Sequence, residues 1–288
     1  MNFGKTTILG VIGDPITHSY SPFLHQGAAA ELGLAICYVP FHVRADQLPT
    51  AVAGLKALGV TGFNVTVPHK EAIIPYLDDC DPDALAMGAV NTVINRKGVL
   101  TGYNTDGLGF IYALTKYYNE DLVGKRVVFI GAGGTAKALG VVCLEAEIAS
   151  LTIINRTLEK AESLKDALQK RKTKCDIHCF KTDASEATEA LSDADIVINL
   201  TSLGLQESDS LPVLGIDWMQ ARQCFVDVIY NPRQTQFLAC AKAQGGRTIN
   251  GLAMLVAQAA YAFALFCDQA EVPFKAFFNQ MEALDTQS

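Results

Sequence analysis

The stretch Lys125-Arg-Val-Val-Phe-Ile-Gly-Ala-Gly-Gly-Thr-Ala-Lys-Ala-Leu-Gly140 constrains the fold of this chain more than any other. An apolar, β-leaning run from Val127 to Ile130 breaks into Gly131, Gly133 and Gly134, then resumes with helix formers spaced Ala136, Leu139, Gly140, Cys143, Leu144. That pattern is a strand, a tight turn and a helix. Glycines permit the sharp turn and let backbone N–H groups approach a pyrophosphate, which the helix N-terminus stabilises through its free donors and dipole. The candidate phosphate cradle is therefore Gly131, Ala132, Gly133, Gly134, Thr135 and Ala136. Ala136 stands where a full G-x-G-x-x-G has its third glycine, so the turn alone is an incomplete fingerprint.

Either side of this turn, strand-like and helix-like segments alternate, which is the pattern of an α/β protein. Before it, strands are expected at 7–12, 35–41, 62–67 and 89–94, with helices at about 22–32, 45–58, 82–88 and 107–118. An amphipathic helix is expected from Pro68 to about Leu77, with Lys70 on its first turn, where a cation opposes the helix dipole. Ser21 is placed to cap the helix that Pro22 opens, and Asp106 can cap the helix after it. Beyond the turn, strands at 150–154, 175–180, 195–199, 224–228 and 247–249 read as a doubly wound parallel sheet. Helices at 251–267 and about 272–284 finish the chain. The expected organisation is an α/β substrate domain of residues 1–105 and 251–288 interrupted by a Rossmann-type domain of residues 106–250.

Composition excludes several classes. With a net charge of −7 and no Lys/Arg cluster, the chain lacks a nucleic-acid surface. The N-terminus has no signal-peptide core, and the apolar helix at 251–267 is interrupted by Gln258 and too short for a membrane span. A soluble cytoplasmic protein, monomer or homodimer, is expected. The eight cysteines contain no C-x-x-C pair and read as reduced, mostly buried small hydrophobes rather than metal ligands, so no metal is expected.

In NAD-binding folds a carboxylate usually ends the second strand and holds the ribose hydroxyls. Here that strand ends in Asn155-Arg156-Thr157, with Lys160 one turn later. A guanidinium suits a 2'-phosphate, so NADP(H) is the expected cofactor. The substrate chemistry must come from polar residues at strand ends: Ser19 and Ser21; Asn64, Thr66 and Lys70; Asn91 with Asp106. Hydroxyls, amides and one ammonium–carboxylate pair suit a small hydroxylated anion.

Nine motifs then occur in one order: Gly13-x-Pro15-x-x-His18-Ser19-x-Ser21-Pro22, Asn64-Val-Thr-Val-Pro-His-Lys70-Glu71, Ala89-Val-Asn91-Thr92, Asn104-Thr-Asp106-Gly107, Gly131-Ala-Gly-Gly134, Asn155-Arg-Thr157, Asn199-Leu-Thr-Ser202, Asp227-Val-Ile-Tyr-Asn-Pro232 and Gly251-Leu-Ala-Met-Leu-Val-Ala-Gln258. Together they resemble the shikimate dehydrogenase family from end to end. Small departures are Gln26, where the family usually has Asn, and Asn250, where Asp is common. The resemblance implies NADPH-dependent reduction of 3-dehydroshikimate to shikimate, with Lys70 and Asp106 as the catalytic pair. It implies that Ser19, Ser21, Asn64, Thr66, Asn91, Tyr230 and Gln258 hold the substrate. Residues 131–136 with Asn155, Arg156, Thr157 and Lys160 would hold NADP, while Thr201, Gly251 and Met254 would lie near the nicotinamide. As hydride reaches a carbonyl carbon, charge grows on oxygen and needs a proton donor, a part Lys70 can fill. His69 is assigned no catalytic role. The competing readings are a quinate/shikimate dehydrogenase and a non-catalytic NADP-binding regulator.

Overall fold

The computed structural model describes residues 6–171, 174–206, 210–213 and 215–285. Residues 1–5, part of the stretch read as lacking a signal-peptide core, lie outside the described residues. The chain divides into two compact units, one holding residues up to Gly109 together with those from Val256 onward, the other Phe110–Leu255.

The first unit starts with β1 (Thr7–Gly13), α1 (Ser21–Glu31), β2 (Ile36–His42), α2 (Leu48–Ala57) and β3 (Gly62–Val65). It continues through β4 (Asp79–Cys80), α3 (Pro82–Met87), β5 (Thr92–Arg96), β6 (Val99–Tyr103) and the start of α4 (Asp106–Ile111). The sheet order is β2-β1-β3-β5-β6-β4. The pairs of β1 with β2 and β3 are parallel, while β5 runs antiparallel to both β3 and β6. Successive side chains on β1 face opposite ways, as the strand repeat requires. Ile12 joins Val52, Leu55 and Phe63 in one buried cluster, and Leu9 and Val11 join Tyr38, Ala262 and Phe266 in the other.

The second unit carries β7 (Arg126–Ile130), α5 (Gly134–Glu145), β8 (Ser150–Ile154), α6 (Leu158–Gln169) and β9 (Asp176–Phe180). After these come α7 (Ser185–Asp193), β10 (Ile196–Asn199), β11 (Cys224–Asp227), α8 (Gln236–Ala243) and β12 (Arg247–Ile249). Every strand pair is parallel, in the order β9-β8-β7-β10-β11-β12. Counted from β7, that is the 3-2-1-4-5-6 order of a doubly wound dinucleotide fold, whose ligands bind where the winding reverses, beside the first strand. Helices cover both faces, so β10 and β11 are buried at every position. Gly140 makes the α5–α6 approach possible, because a side chain there would run into Leu168.

The last helices are α9 (Leu252–Cys267) and α10 (Phe274–Asp285). Among the described residues no helix is long and apolar enough to cross a membrane. In the first unit α10 packs on α1, with Asn279 donating to Glu31 at 2.8 Å and Gln280 lying over Gly27.

Several sequence expectations need correction. The segment after Pro68 is a series of turns ending in a single 3-10 turn at Ile74–Tyr76, so Lys70 lies on no α-helix and the dipole argument does not apply to it. Pro75 has no N–H to give Glu71, which stops a helical ladder in mid-segment. Ser21 does not cap α1: Tyr20 holds the N-cap position without a side-chain bond, and Ser19 Oγ accepts from the Ser21 amide at 3.3 Å. The helix expected to Tyr118 is α-helical only to Ile111, then widens into a π-helical turn. Strand β4 gave no signal, being two residues long. Only Cys143 and Cys224 are buried, the other six cysteines being partly exposed free thiols.

Between α1, α9 and α10 sits His25, fully buried, with neither ring nitrogen hydrogen-bonded. Its ring stacks on Tyr38 at 4.2 Å and meets Phe277 edge-on at 5.2 Å. Burial alone pushes its pKa from 6.5 down to about 3, so the folded protein holds it neutral. Between those values the unfolded chain binds the extra proton, and stability is lost as pH falls below 6.5. From pH 6.5 to 4.5 this one group costs about 2–3 kcal/mol. A His25→Phe variant is expected to lose that part of the acid-side slope in urea unfolding between pH 4.5 and 7; slopes matching the parent's would contradict the assignment.

Candidate active site

In the first unit, the ends of β1, β3 and β6 bring a polar cluster together around Asn91. Its Nδ2 donates to Asp106 Oδ1 at 2.7 Å and to Thr105 Oγ1 at 3.0 Å, with Gln258 Oε1 at 3.3 Å. Its Oδ1 accepts from the Thr105 amide at 2.9 Å and from Thr92 Oγ1 at 2.8 Å. Every hydrogen-bonding site of the buried amide is thus taken within the protein. Asn64 is fixed in the same way. Its Nδ2 donates to the Asn91 carbonyl at 3.1 Å and to Thr92 Oγ1 at 3.0 Å, so its Oδ1 faces Tyr38, whose hydroxyl donates to it at 2.7 Å. Tyr38 is also hydrogen-bonded to Ser21, and burial holds its hydroxyl well above the ordinary tyrosine pKa.

Lys70 Nζ donates to Asp106 Oδ2 at 2.6 Å, with side chains 16% and 6% exposed. The pair is desolvated enough to be much stronger than a surface ion pair. Asp106 opens α4, yet the cap of that turn is Asn104, whose Oδ1 accepts from the Asp106 amide at 3.0 Å. The Asp106 carboxylate is therefore left for Asn91 and Lys70. Gln258, one turn from Met254 in sequence, packs its backbone against Gly109, where no side chain would fit. The Thr66 carbonyl accepts from His69 N at 2.9 Å and its amide donates to Ile12 O at 3.0 Å. Of the proposed substrate residues, Ser19, Ser21, Asn64, Asn91 and Gln258 are thus linked directly or through Tyr38 and Thr105. Tyr38, Thr92 and Thr105 were not picked out from sequence as site residues, although Thr92 and Thr105 stand inside the motifs.

In the second unit, Gly131 follows β7 at φ +111°, a conformation that side chains rarely adopt, with Leu200 and Thr201 against its α-carbon. Gly133 is open on the side where a Cβ would stand, and no side chain caps the first turn of α5. An uncapped helix start facing open space is what a pyrophosphate requires. Thr201 is held by Asn199, whose Oδ1 accepts from its amide at 3.1 Å and its hydroxyl at 2.7 Å. Asn199 in turn donates to buried Asp227, whose pKa burial raises despite bonds from Thr235, Ile229 N and Asn199. At the end of β8, Asn155 Nδ2 donates to Thr157 O at 2.8 Å, the Thr157 side chain makes no cap bond, and Arg156 and Lys160 are exposed. Among the described residues Arg156 makes no ion pair. Gly251 and Met254, with Phe110 and Asp227, line a small cavity, and a side chain at Gly251 would overlap the Val228 carbonyl. Tyr230 lies half-buried just after β11.

Fold and site together define a two-unit α/β protein in which one unit has dinucleotide-binding topology and the other a part-buried ammonium–carboxylate pair. Residues 11–93 match the family described as the shikimate dehydrogenase substrate binding domain, and residues 113–235 match shikimate / quinate 5-dehydrogenase. The shikimate dehydrogenase (NADP(+)) of Moorella thermoacetica is 44% identical over 262 residues, covering 91% of this chain and 88% of that one. The structure of Listeria monocytogenes shikimate 5-dehydrogenase with shikimate and NAD superimposes with a TM-score of 0.86 at 34% identity, over 96% of this chain and 97% of that one. For the Thermus thermophilus shikimate 5-dehydrogenase with NADP(H) and shikimate the TM-score is 0.81 at 32% identity, over 95% and 99%. The chain belongs to the shikimate dehydrogenase family.

Replacing Asn91 with Leu strands the Thr105 amide and one Asp106 oxygen in a buried setting. Asn91→Leu is expected to lower unfolding stability by about 2–3 kcal/mol, read as a lower urea midpoint at pH 7. An unchanged midpoint would show that the amide is not holding the cluster.

Proposed function

We propose that this protein reduces 3-dehydroshikimate to shikimate with NADPH, reversibly, in the shikimate pathway of aromatic amino-acid biosynthesis, and that it works in the cytoplasm as a monomer or homodimer. The observation that carries the reading is the Lys70–Asp106 pair at 2.6 Å, set among amides and hydroxyls in a family whose relatives are NADP-dependent shikimate dehydrogenases.

NADPH, when bound, supplies the hydride that attacks the substrate's carbonyl carbon. The glycine turn 131–136 would receive the pyrophosphate on free N–H groups, and Arg156 with Thr157 and Lys160 would meet the 2'-phosphate. Their fit rests on the uncapped, open start of α5 and on Arg156 beyond β8, which makes no ion pair among the described residues, with no carboxylate at positions 155–157. Thr201, Gly251 and Met254 are assigned to the nicotinamide side.

Lys70 is the proton donor. As negative charge grows on the carbonyl oxygen, Nζ gives up a proton to it, the new O–H completes the alcohol, and the amine is reprotonated from solvent. In oxidation the same nitrogen takes the hydroxyl proton. Asp106 keeps the ammonium in place between turnovers, its other oxygen anchored by Asn91. Ser19, Ser21, Asn64, Thr66, Tyr230 and Gln258 hold the substrate's carboxylate and hydroxyls, while Asn91, its polar atoms already bonded within the protein, fixes Asp106 beside them. With both N–H groups of Asn64 and one side of its Oδ1 already bonded, that amide has only an acceptor left for substrate, which matches a hydroxyl.

Following NADPH oxidation with 3-dehydroshikimate, beside 3-dehydroquinate and NADH, tests the reading. The expected result is turnover with the first substrate and NADPH; binding without turnover would favour a regulator, and preference for 3-dehydroquinate a quinate enzyme. Lys70→Ala and Asp106→Ala should each lower kcat by about 10²- to 10⁴-fold with NADPH affinity within about twofold of the parent. Near-normal turnover in both would remove them from the chemistry. Arg156→Ala should cut the preference for NADPH over NADH by about tenfold or more, measured as the ratio of the two kcat/KM values.

A further inference from the structure

We infer that His69 is a positioning residue which fixes where the Lys70 ammonium stands, an inference that rests on Lys70 being the proton donor.

The two halves of the Lys70–Asp106 pair are supported very differently. Asp106 begins a helix, its amide is capped by Asn104, and its carboxylate is held by an amide with no bond to spare. Lys70 lies in turns, where no ladder of backbone bonds fixes the main chain. Two of the backbone bonds nearby, His69 N to Thr66 O at 2.9 Å and Ile73 N to His69 O at 3.0 Å, lie within the segment, whose start is tied to the end of β1 by Thr66 N to Ile12 O at 3.0 Å and Asp14 N to Val67 O at 3.0 Å. A tie to the rest of the unit comes after the residue: Val90 N donates to the Lys70 carbonyl at 2.8 Å.

On the other side, the tie made by the residue next to Lys70 is the His69 ring. The residue is 1% exposed, and its Nε2 lies 2.6 Å from the carbonyl oxygen of Val43. A carbonyl can only accept, so Nε2 carries the hydrogen and its lone pair is not available to a reacting group. Val43 is itself buried, and its amide donates to Gly13 O at 3.1 Å. The imidazole therefore pins the turn bearing Lys70 to the segment after β2, which is pinned to the end of β1. Lys70 is gripped from both neighbours, by the ring before it and by its own carbonyl after it. With Nε2 bonded to Val43 O and the ring buried, what His69 controls is the reach of Nζ to Asp106 and to the oxygen being protonated. A displacement of about 1 Å in such a group can cost about 10²-fold in rate.

The test uses the full chain carrying His69→Gln or His69→Asn, assayed with 3-dehydroshikimate and NADPH. The Gln amide nitrogen falls near the place of Nε2, whereas the Asn amide stops one carbon short. His69→Gln is expected to keep kcat within about threefold of the parent, and His69→Asn to lose about 10- to 100-fold in kcat, with NADPH affinity, read by its fluorescence, unchanged in both. In a Lys70→Ala background followed by single turnover, the difference between Gln and Asn should vanish, because His69 acts only through Lys70. Parental kcat in His69→Asn, equal losses in Gln and Asn, or a Gln–Asn difference that persists without Lys70 would each overturn the inference. A parent that fails to turn over 3-dehydroshikimate would defeat the functional reading instead.

Discussion

One amide organises the substrate side of this molecule. Asn91 is buried, so each of its polar atoms must find a partner inside the protein or cost stability. It finds them in Asp106, Thr105, Thr92 and Gln258, residues from three separate stretches of the chain. A carboxylate taken out of water is tolerable only when paired and hydrogen-bonded. Asn91 supplies the hydrogen bond at 2.7 Å and Lys70 the charge at 2.6 Å, and each bond aims Asp106 for the other. The ion pair is therefore a consequence of the network before it is a catalytic device.

Topology decides where such networks can stand. In parallel sheets the strands share a direction, so the segments leaving their C-terminal ends gather on one edge. In the first unit, β1 releases the chain towards Ser19 and Ser21, and β3 releases it towards Thr66 and Lys70. In the second, β7 leads into Gly131, β8 into Asn155 to Thr157, β10 into Thr201 and β11 into Tyr230. Residues far apart in sequence reach one edge because continuous apolar strands must be buried on both faces, which forces the crossover connections.

Much of this was legible in the sequence, for reasons that also explain what was not. The strands of the second unit announce themselves as runs such as Val127–Ile130 and Ile196–Asn199, with no competing helical period. The Asn155-Arg156-Thr157 step points to a cofactor with a 2'-phosphate because a carboxylate there would repel one. By contrast, Ile73, Ile74 and Leu77 carry helical spacing, and only the missing N–H of Pro75 overrules it. Tyr38, Thr92 and Thr105 look like ordinary strand and loop residues, since Tyr and Thr are favoured in strands on shape alone. Their role comes from partners 14 to 28 positions away, such as Asn64 for both Tyr38 and Thr92. His69 is of the same kind: a histidine beside a lysine in a loop gives no sign that its ring turns inward to a backbone carbonyl 26 residues earlier.

The placement of cations separates the two tasks assigned to them. Lys70 is 16% exposed and must have a counter-charge at all times, since an unpaired ammonium out of water would unseat its own turn. Arg156 is exposed and makes no ion pair among the described residues, a state that water makes inexpensive. An arginine already bound to a carboxylate would have to break that bond before meeting a phosphate, and the gain would shrink accordingly. A proton donor has the opposite need, because it must be aimed before substrate arrives. The chain satisfies both by holding the part-buried ammonium beside Asp106 and leaving the guanidinium in solvent.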